Sequence, residues 1–185
     1  MEPLTERIII ELNRFRDLVP AEGLGRREWT AGVKNAMCIA GRYFRYKYVN
    51  TVIDHVLLPQ ELRDEYRPPD YGEWIYDLSI QAKDHDGNWS NVVIAECEWG
   101  DKACIKEDFE KLVVGRAALR VMVYEDSYAA PSDFINWIDL HQRNRPGDTY
   151  LLVAYQGSAE ERLPLLYRHV VVRDSGAVLV AKTGI

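Results

Sequence analysis

With 185 residues, a net charge of -6, and 47% hydrophobic and 28% charged residues, the chain has the composition of a single globular domain over 1–185. The acidic balance argues against indiscriminate coating of nucleic acid, and no uncharged apolar run of about 18 residues is present to cross a bilayer. The segment "MEPLTERIIIELNRF" has neither the basic nor the apolar region of an export signal, so a cytoplasmic protein without membrane contacts is expected.

Along the chain, Thr5 is placed as a helix N-cap with Leu4 and Ile9 as a hydrophobic staple, and Leu4, Ile8, Leu12 and Phe15 follow at helical spacing to about Leu18. "VPAEGLG" then breaks the helix. A second helix is expected from near Thr30, with Val33, Met37, Ala40 and Phe44 on one face, Arg42 pointing away and Lys34 and Arg45 at its flanks. This region is basic: Arg26, Arg27, Lys34, Arg42, Arg45 and Lys47 stand against Glu28 alone.

Beyond a poorly patterned stretch containing "LLPQELRDEYRPPDYG", the runs "EWIYDLSIQA" and "NVVIAECEW" flank "KDHDGNWS", whose Asp86-Gly87 turn signal predicts a hairpin. "IKEDFEKLVVGRAAL" predicts a helix with Ile105, Phe109, Leu112, Val113 and Arg116 on one side, and "LRVMVYE" a short buried strand. That order implies a right-handed crossover, with 120–124 parallel to the strand ending near Glu98. A helix in "PSDFINWIDLHQR" and strands in "TYLLVAYQ", "LLYRHVVVR" and "AVLVAKT" complete an α/β protein with a mixed central sheet flanked by helices. The last two strands turn at Asp174-Ser175-Gly176.

Chemistry is suggested where two carboxylates, Glu96 and Glu98, interrupt the apolar strand "NVVIAECEWG". A two-residue turn at Asp86-Gly87 sets Asp77 directly opposite Glu96, and like charges facing each other destabilise a sheet unless something positive lies between them. Mg²⁺ or Mn²⁺ suits such a place, since it takes carboxylate and water oxygens. Strand alternation puts Val92, Ile94, Glu96 and Glu98 on one face and Val93, Ala95 and Cys97 on the other, so Asp77, Glu96 and Glu98 are expected to converge. A register slip of one residue would separate the pair, and a solvated Glu98 at a fraying strand end explains its presence equally well.

The cysteines Cys38, Cys97 and Cys104 are odd in number and widely spaced, which suits reduced thiols. Scattered histidines (His55, His85, His141, His169) argue against zinc. Cys97 makes a poor nucleophile, because neighbouring carboxylates raise a thiol pKa.

An acid in one hairpin strand ("WIYDLSI"), a turn, a carboxylate-x-charged element ending an apolar strand ("VVIAECE"), then a helix and a buried strand resemble the core of the PD-(D/E)XK nuclease-like superfamily over roughly Thr30 to Tyr155. The resemblance implies a restriction-endonuclease-like αβββαβ core and a metal-dependent phosphodiesterase, with Asp77 and Glu96 as the metal-binding acids. The literal "PD" falls at Pro69-Asp70, which makes Asp70 a second candidate for the first acid. Glu98 stands where the family usually has lysine; some restriction endonucleases of the superfamily carry E-x-E there, and others supply the lysine from the following helix, where Lys111 in "DFEKL" is placed. Lys111 lies away from the apolar helix face, which also fits a solvated lysine.

On this reading a cation on Asp77 and Glu96 polarises the scissile phosphate, Glu98 orients or deprotonates water or binds a second cation, and Lys111 stabilises developing charge. Arg42, Arg45 and Lys47 are the expected phosphate contacts on nucleic acid, DNA in the first instance. Tyr43, Tyr46 and Tyr48 suit core-edge packing better than base stacking, and the five tryptophans suit the core or its edge, with Trp99 a candidate wall of the site. A homodimer fits cleavage of two strands. The alternative function is a nuclease-like scaffold without catalysis that acts as a binding or assembly module, motivated by the missing lysine and the acidic charge.

Overall fold

Along the central strands nearly every residue is buried, so both faces of the sheet must be covered. In β4 (Leu119–Glu125), Leu119, Val121 and Val123 enter one core while Met122 and Tyr124 enter another. The computed structural model describes residues 2–18, 25–44, 46, 48–50, 75–141, 144–156 and 165–184. Among them are helices α1 (Glu2–Leu18), α2 (Arg26–Tyr43), α3 (Lys102–Val114) and α4 (Pro131–Asp139). The remaining strands are β1 (Tyr48–Asn50), β2 (Leu78–Lys83), β3 (Trp89–Glu98), β5 (Thr149–Tyr155), β6 (Leu166–Arg173) and β7 (Gly176–Gly184).

The strands lie in sequence order in a seven-stranded mixed sheet. The central pairs β3·β4 and β4·β5 are parallel, as the strand-helix-strand order requires, and the outer pairs are antiparallel. One face packs on α1 and α2 through residues such as Ile8, Leu12, Val33 and Met37. Ile105, Phe109 and Leu112 of α3 and Phe134 and Ile138 of α4 cover the other. The result is a three-layer α/β protein in which the expected helices and strands recur, joined by β1, which no sequence pattern announced.

Several local expectations change. Thr5 lies inside α1, not at its N-cap, and is buried; Pro3 in the first turn breaks no intrahelical bond, so the helix begins at Glu2. Similarly, α2 starts at Arg26 instead of near Thr30, whose hydroxyl donates back to the Arg26 carbonyl (3.0 Å) and accepts the Trp99 indole N–H (2.7 Å). At its far end α3 stops at Val114, leaving Arg116 beyond the helix and exposed.

The hairpin is the informative case. Its turn is not the two-residue Asp86-Gly87 connection but a five-residue loop between Lys83 and its partner Trp89. Asp84 organises that loop: its Oδ1 accepts the N–H groups of Asp86 and Asn88, both at 2.9 Å, and Gly87 takes φ +82°. This connection shifts the pairing by one residue. A bulge shifts it back, since Gln81 pairs with Asn91 but Ile80 with Val93, leaving Val92 as the extra residue. Val92 therefore packs toward the α1/α2 core instead of sharing a face with Ile94 and Glu96. From Ile80 onward the register is the expected one, and its last ladder pair is Leu78 with Ala95.

The layer formed by α1 and α2 depends on a close approach. A Cβ at Gly32 would enter the Phe15 ring, which meets Trp29 edge-on at 5.1 Å between centroids. Gly32→Ala is expected to destabilise the protein by about 1–3 kcal/mol through overpacking, measured by urea unfolding, and the additional change Phe15→Leu should recover part of the loss.

Candidate functional site

Just beyond the last ladder pair of β2 and β3, Asp77 and Glu96 face each other, and each side chain bonds the other strand's backbone. Asp77 Oδ2 accepts the Cys97 N–H at 2.9 Å, and Glu96 Oε2 accepts the Asp77 N–H at 3.4 Å. These carboxylates satisfy donors that the ladder no longer pairs. From this junction they diverge. Asp77 Oδ1 lies 3.2 Å from Nζ of Lys34, a lysine of α2 that is 4% exposed. Glu96, 2% exposed, sits on the face covered by α3, with its Oε1 3.8 Å from Lys111 Nζ.

The placement of α3 follows from its ends. Asp101 caps its N-terminus by accepting the N–H groups of Ala103 (2.9 Å) and Cys104 (3.1 Å). About two turns on, Asp108 and Lys111 meet the end of β3. Lys111 Nζ lies 2.5 Å from Asp108 Oδ1, and Glu98 shares a side-chain hydrogen bond with Asp108 while accepting the Gly100 N–H at 2.5 Å. Lys111 is thus half-buried and ion-paired.

Burial, then the charge of Asp77, pushes the Glu96 carboxyl up to about 8 despite Lys111 beside it. Burial also raises Glu98, and so does the bond to Asp108, which requires a shared proton. For Lys111 burial acts downward, but the Asp108 hydrogen bond and the charges of Glu96, Asp108 and Asp77 outweigh it and raise its pKa. Cys97 is raised well above the ordinary thiol range by burial and by Asp77, which agrees with an inert thiol.

Of the residues singled out in sequence, Asp77, Glu96, Glu98 and Lys111 come together. Among the described residues, however, no three acidic, histidine or cysteine side chains form a metal cage: Asp77 turns toward Lys34, and Glu98 toward Gly100 and Asp108. Arg42 is in the last turn of α2 and half-buried, whereas Arg45, Lys47, Tyr48's side chain and Asp70 lie outside the described residues. Tyr46 stacks on Phe44 at the core edge, and Tyr43 is exposed beneath the Arg7 guanidinium, 4.4 Å from its ring centroid. Trp99 belongs to the aromatic cluster with Trp29 and Tyr155, on the face opposite Glu96.

Lys34 and Asp108 went unrecognised. Asp108, at i−3 from Lys111, was legible as a helical partner, but nothing local distinguishes Lys34 from a flanking surface lysine.

No protein-family description, curated protein or solved structure matches the chain. Its chemistry therefore rests on the site alone.

A hard divalent cation fits the donor chemistry. Glu96 Oε1 is buried and accepts no hydrogen bond among the described residues, and Asp77 and Glu96 carry oxygen donors of the kind that Mg²⁺ or Mn²⁺ takes.

Because Glu96 in the fold titrates near 8 against an ordinary value of 4.5, its contribution to stability is complete below pH 4.5 and is lost as pH rises through 8. Glu96→Gln should leave stability unchanged at pH 4 and raise Tm by roughly 3–6 °C at pH 9, measured by thermal melts across that range.

Proposed function

We propose that this protein is a metal-dependent nuclease with a restriction-endonuclease-like core, and that it hydrolyses phosphodiester bonds in nucleic acid, DNA in the first instance. The observation carrying this reading is that Asp77 and Glu96 face each other just beyond the last ladder pair, at the open end of the hairpin, with Lys111 beside Glu96. Among the described residues the order α2-β1-β2-β3-α3-β4 supports it, since it is compatible with the αβββαβ succession that the resemblance implies.

In hydrolysis a water oxygen bonds to phosphorus, one P–O ester bond breaks, and the leaving oxygen takes a proton. Asp77 and Glu96 would hold Mg²⁺ or Mn²⁺, which when bound polarises a phosphate oxygen and acidifies water. Glu98, whose carboxylate is made more basic by burial and by Asp108, would accept the proton of the attacking water in its ionised form. Lys111 stays charged because its pKa is raised; it acts by stabilising negative charge on phosphate, and solvent protonates the leaving oxygen. Lys34 holds Asp77 in place from α2. Arg42, with Arg45 and Lys47, supplies phosphate contacts along the substrate.

A second reading has its own observation. Lys34 and Lys111 already stand beside Asp77 and Glu96, so the carboxylates have positive neighbours without a metal ion, as a non-catalytic binding module would need.

Two measurements separate these readings. Mg²⁺- or Mn²⁺-dependent cleavage of DNA should fall by roughly 100-fold or more in Asp77→Asn and Glu96→Gln and by roughly 10–100-fold in Lys111→Ala, with each variant folded by circular dichroism. Cleavage that survives both carboxylate changes rules out Asp77 and Glu96 as the catalytic site and with them the PD-(D/E)XK assignment. Calorimetric titration with Mn²⁺ at pH 7 should show about one proton released per ion bound, because Glu96 must ionise to bind. Absence of binding dependent on Asp77 and Glu96 selects the scaffold.

A further inference from the structure

Toward the other end of β3, its first residues, the end of α3 and the segment preceding β5 enclose a cavity of about 800 Å³. Asn91 on its wall is five residues from Glu96, roughly 17 Å along the strand, so this is a place distinct from the carboxylates. Its volume is within the roughly 300–1,000 Å³ typical of small-molecule sites and is far larger than an inorganic anion requires.

The charge of the cavity opposes that of the protein. Arg116, Arg120 and Arg145 line it against a single carboxylate, Asp148, although the chain as a whole carries -6. Arg120 is 3% exposed and fully engaged, donating to the carbonyls of Leu112 (3.0 Å), Gly115 (2.9 Å) and Ala117 (3.4 Å) and pairing with Asp148 at 3.2 Å. Asp148 also accepts the Arg145 backbone N–H at 2.9 Å, so its charge is committed to the cavity floor. Arg116 and Arg145 are exposed, and neither guanidinium has an ion pair or hydrogen bond among the described residues.

A guanidinium presents a planar fork of donors that matches phosphate oxygens in a bidentate way, and two such forks at one cavity mouth favour a dianion over a monoanion. The adjoining wall is different in kind. Trp89, half-exposed with Lys83 Nζ 5.2 Å from its ring centroid, stands with Val113 and Ala117 as apolar and aromatic surface suited to a flat heterocycle.

We propose that this cavity binds a nucleotide through its phosphate, with Arg116 and Arg145 holding the phosphate and the Trp89 wall taking the base. The ligand is a nucleoside monophosphate or the phosphorylated end of a nucleic-acid strand, which share that chemistry. The proposal does not rest on the carboxylate site.

The test is calorimetric titration of the full chain, in metal-free buffer at low salt, with adenosine 5′-monophosphate, inorganic phosphate and a 5′-phosphorylated trinucleotide. Adenosine monophosphate should bind saturably and at least roughly tenfold more tightly than inorganic phosphate, which forgoes the wall. Arg116→Gln and Arg145→Gln should each weaken it by roughly tenfold, and the indole N–H resonance of Trp89 should shift on titration in the wild type only. Both arginines are exposed, so these variants keep the core intact. A trinucleotide that binds more tightly than the mononucleotide identifies a strand end as the ligand; equal affinity identifies the free nucleotide. Asp77→Asn should bind adenosine monophosphate as the wild type does, which separates this result from the fate of the nuclease reading. No saturation below about 10 mM, or an affinity unchanged in the double arginine variant, overturns the proposal.

Discussion

The Arg120 guanidinium ties the helical layer over the candidate site to the sheet. It projects from β4, is almost fully buried, and collects the last carbonyls of α3 together with Asp148 before β5. A helix ends with unpaired carbonyl groups, and a buried cation that accepts them contributes both hydrogen bonds and a favourable interaction with the helix dipole. With Asp101 capping the other end, α3 is held at both termini. That determines where Lys111 and Asp108 meet Glu96 and Glu98, and it builds the floor of the arginine-lined cavity from the same residue.

Within that frame the carboxylate site is arranged at an energetic cost. A strand covered on both faces has no solvent for Glu96, and burial together with Asp77 raises its pKa to about 8. Lys111 and Lys34 offset the charge from opposite layers, α3 above one face of the sheet and α2 above the other. Replacing such a group with a hydrophobic residue would be easier on stability, which makes Glu96 a candidate functional residue. The lysine expected two residues after Glu96 is not needed to bring an ammonium group there, because Lys111 comes from α3 and Lys34 from α2.

Charge is distributed unevenly across the molecule. Carboxylates gather where β3 ends, whereas arginines gather where it begins, around Arg116, Arg120 and Arg145. Net charge conceals this division, since the arginines come from three separate segments and only the fold assembles them.

Much of the architecture was legible in the sequence. Apolar runs of strand length alternating with helix-period segments imply a mixed sheet with helices on both faces, and alternation within "NVVIAECEW" correctly put Glu96 and Cys97 on opposite sides. The pairing of Asp77 with Glu96 was also anticipated, but through a turn the protein does not use: the five-residue loop set by Asp84 and the bulge at Val92 shift the register by equal and opposite amounts. Sequence patterns report periodicity, which is local, and could not show that two departures cancel. Helix starts at Glu2 and Arg26 were likewise missed: Thr5 is buried within α1 instead of capping it, and Thr30 lies within α2, where its hydroxyl accepts the Trp99 indole N–H. What periodicity and composition determined was the fold class, the core faces and the carboxylates worth attention. Only the tertiary structure decided that Lys34, from a helix more than forty positions before Asp77, is its partner and that Arg116 and Arg145 share a cavity, because charge pairing across layers depends on distances the chain's order does not encode.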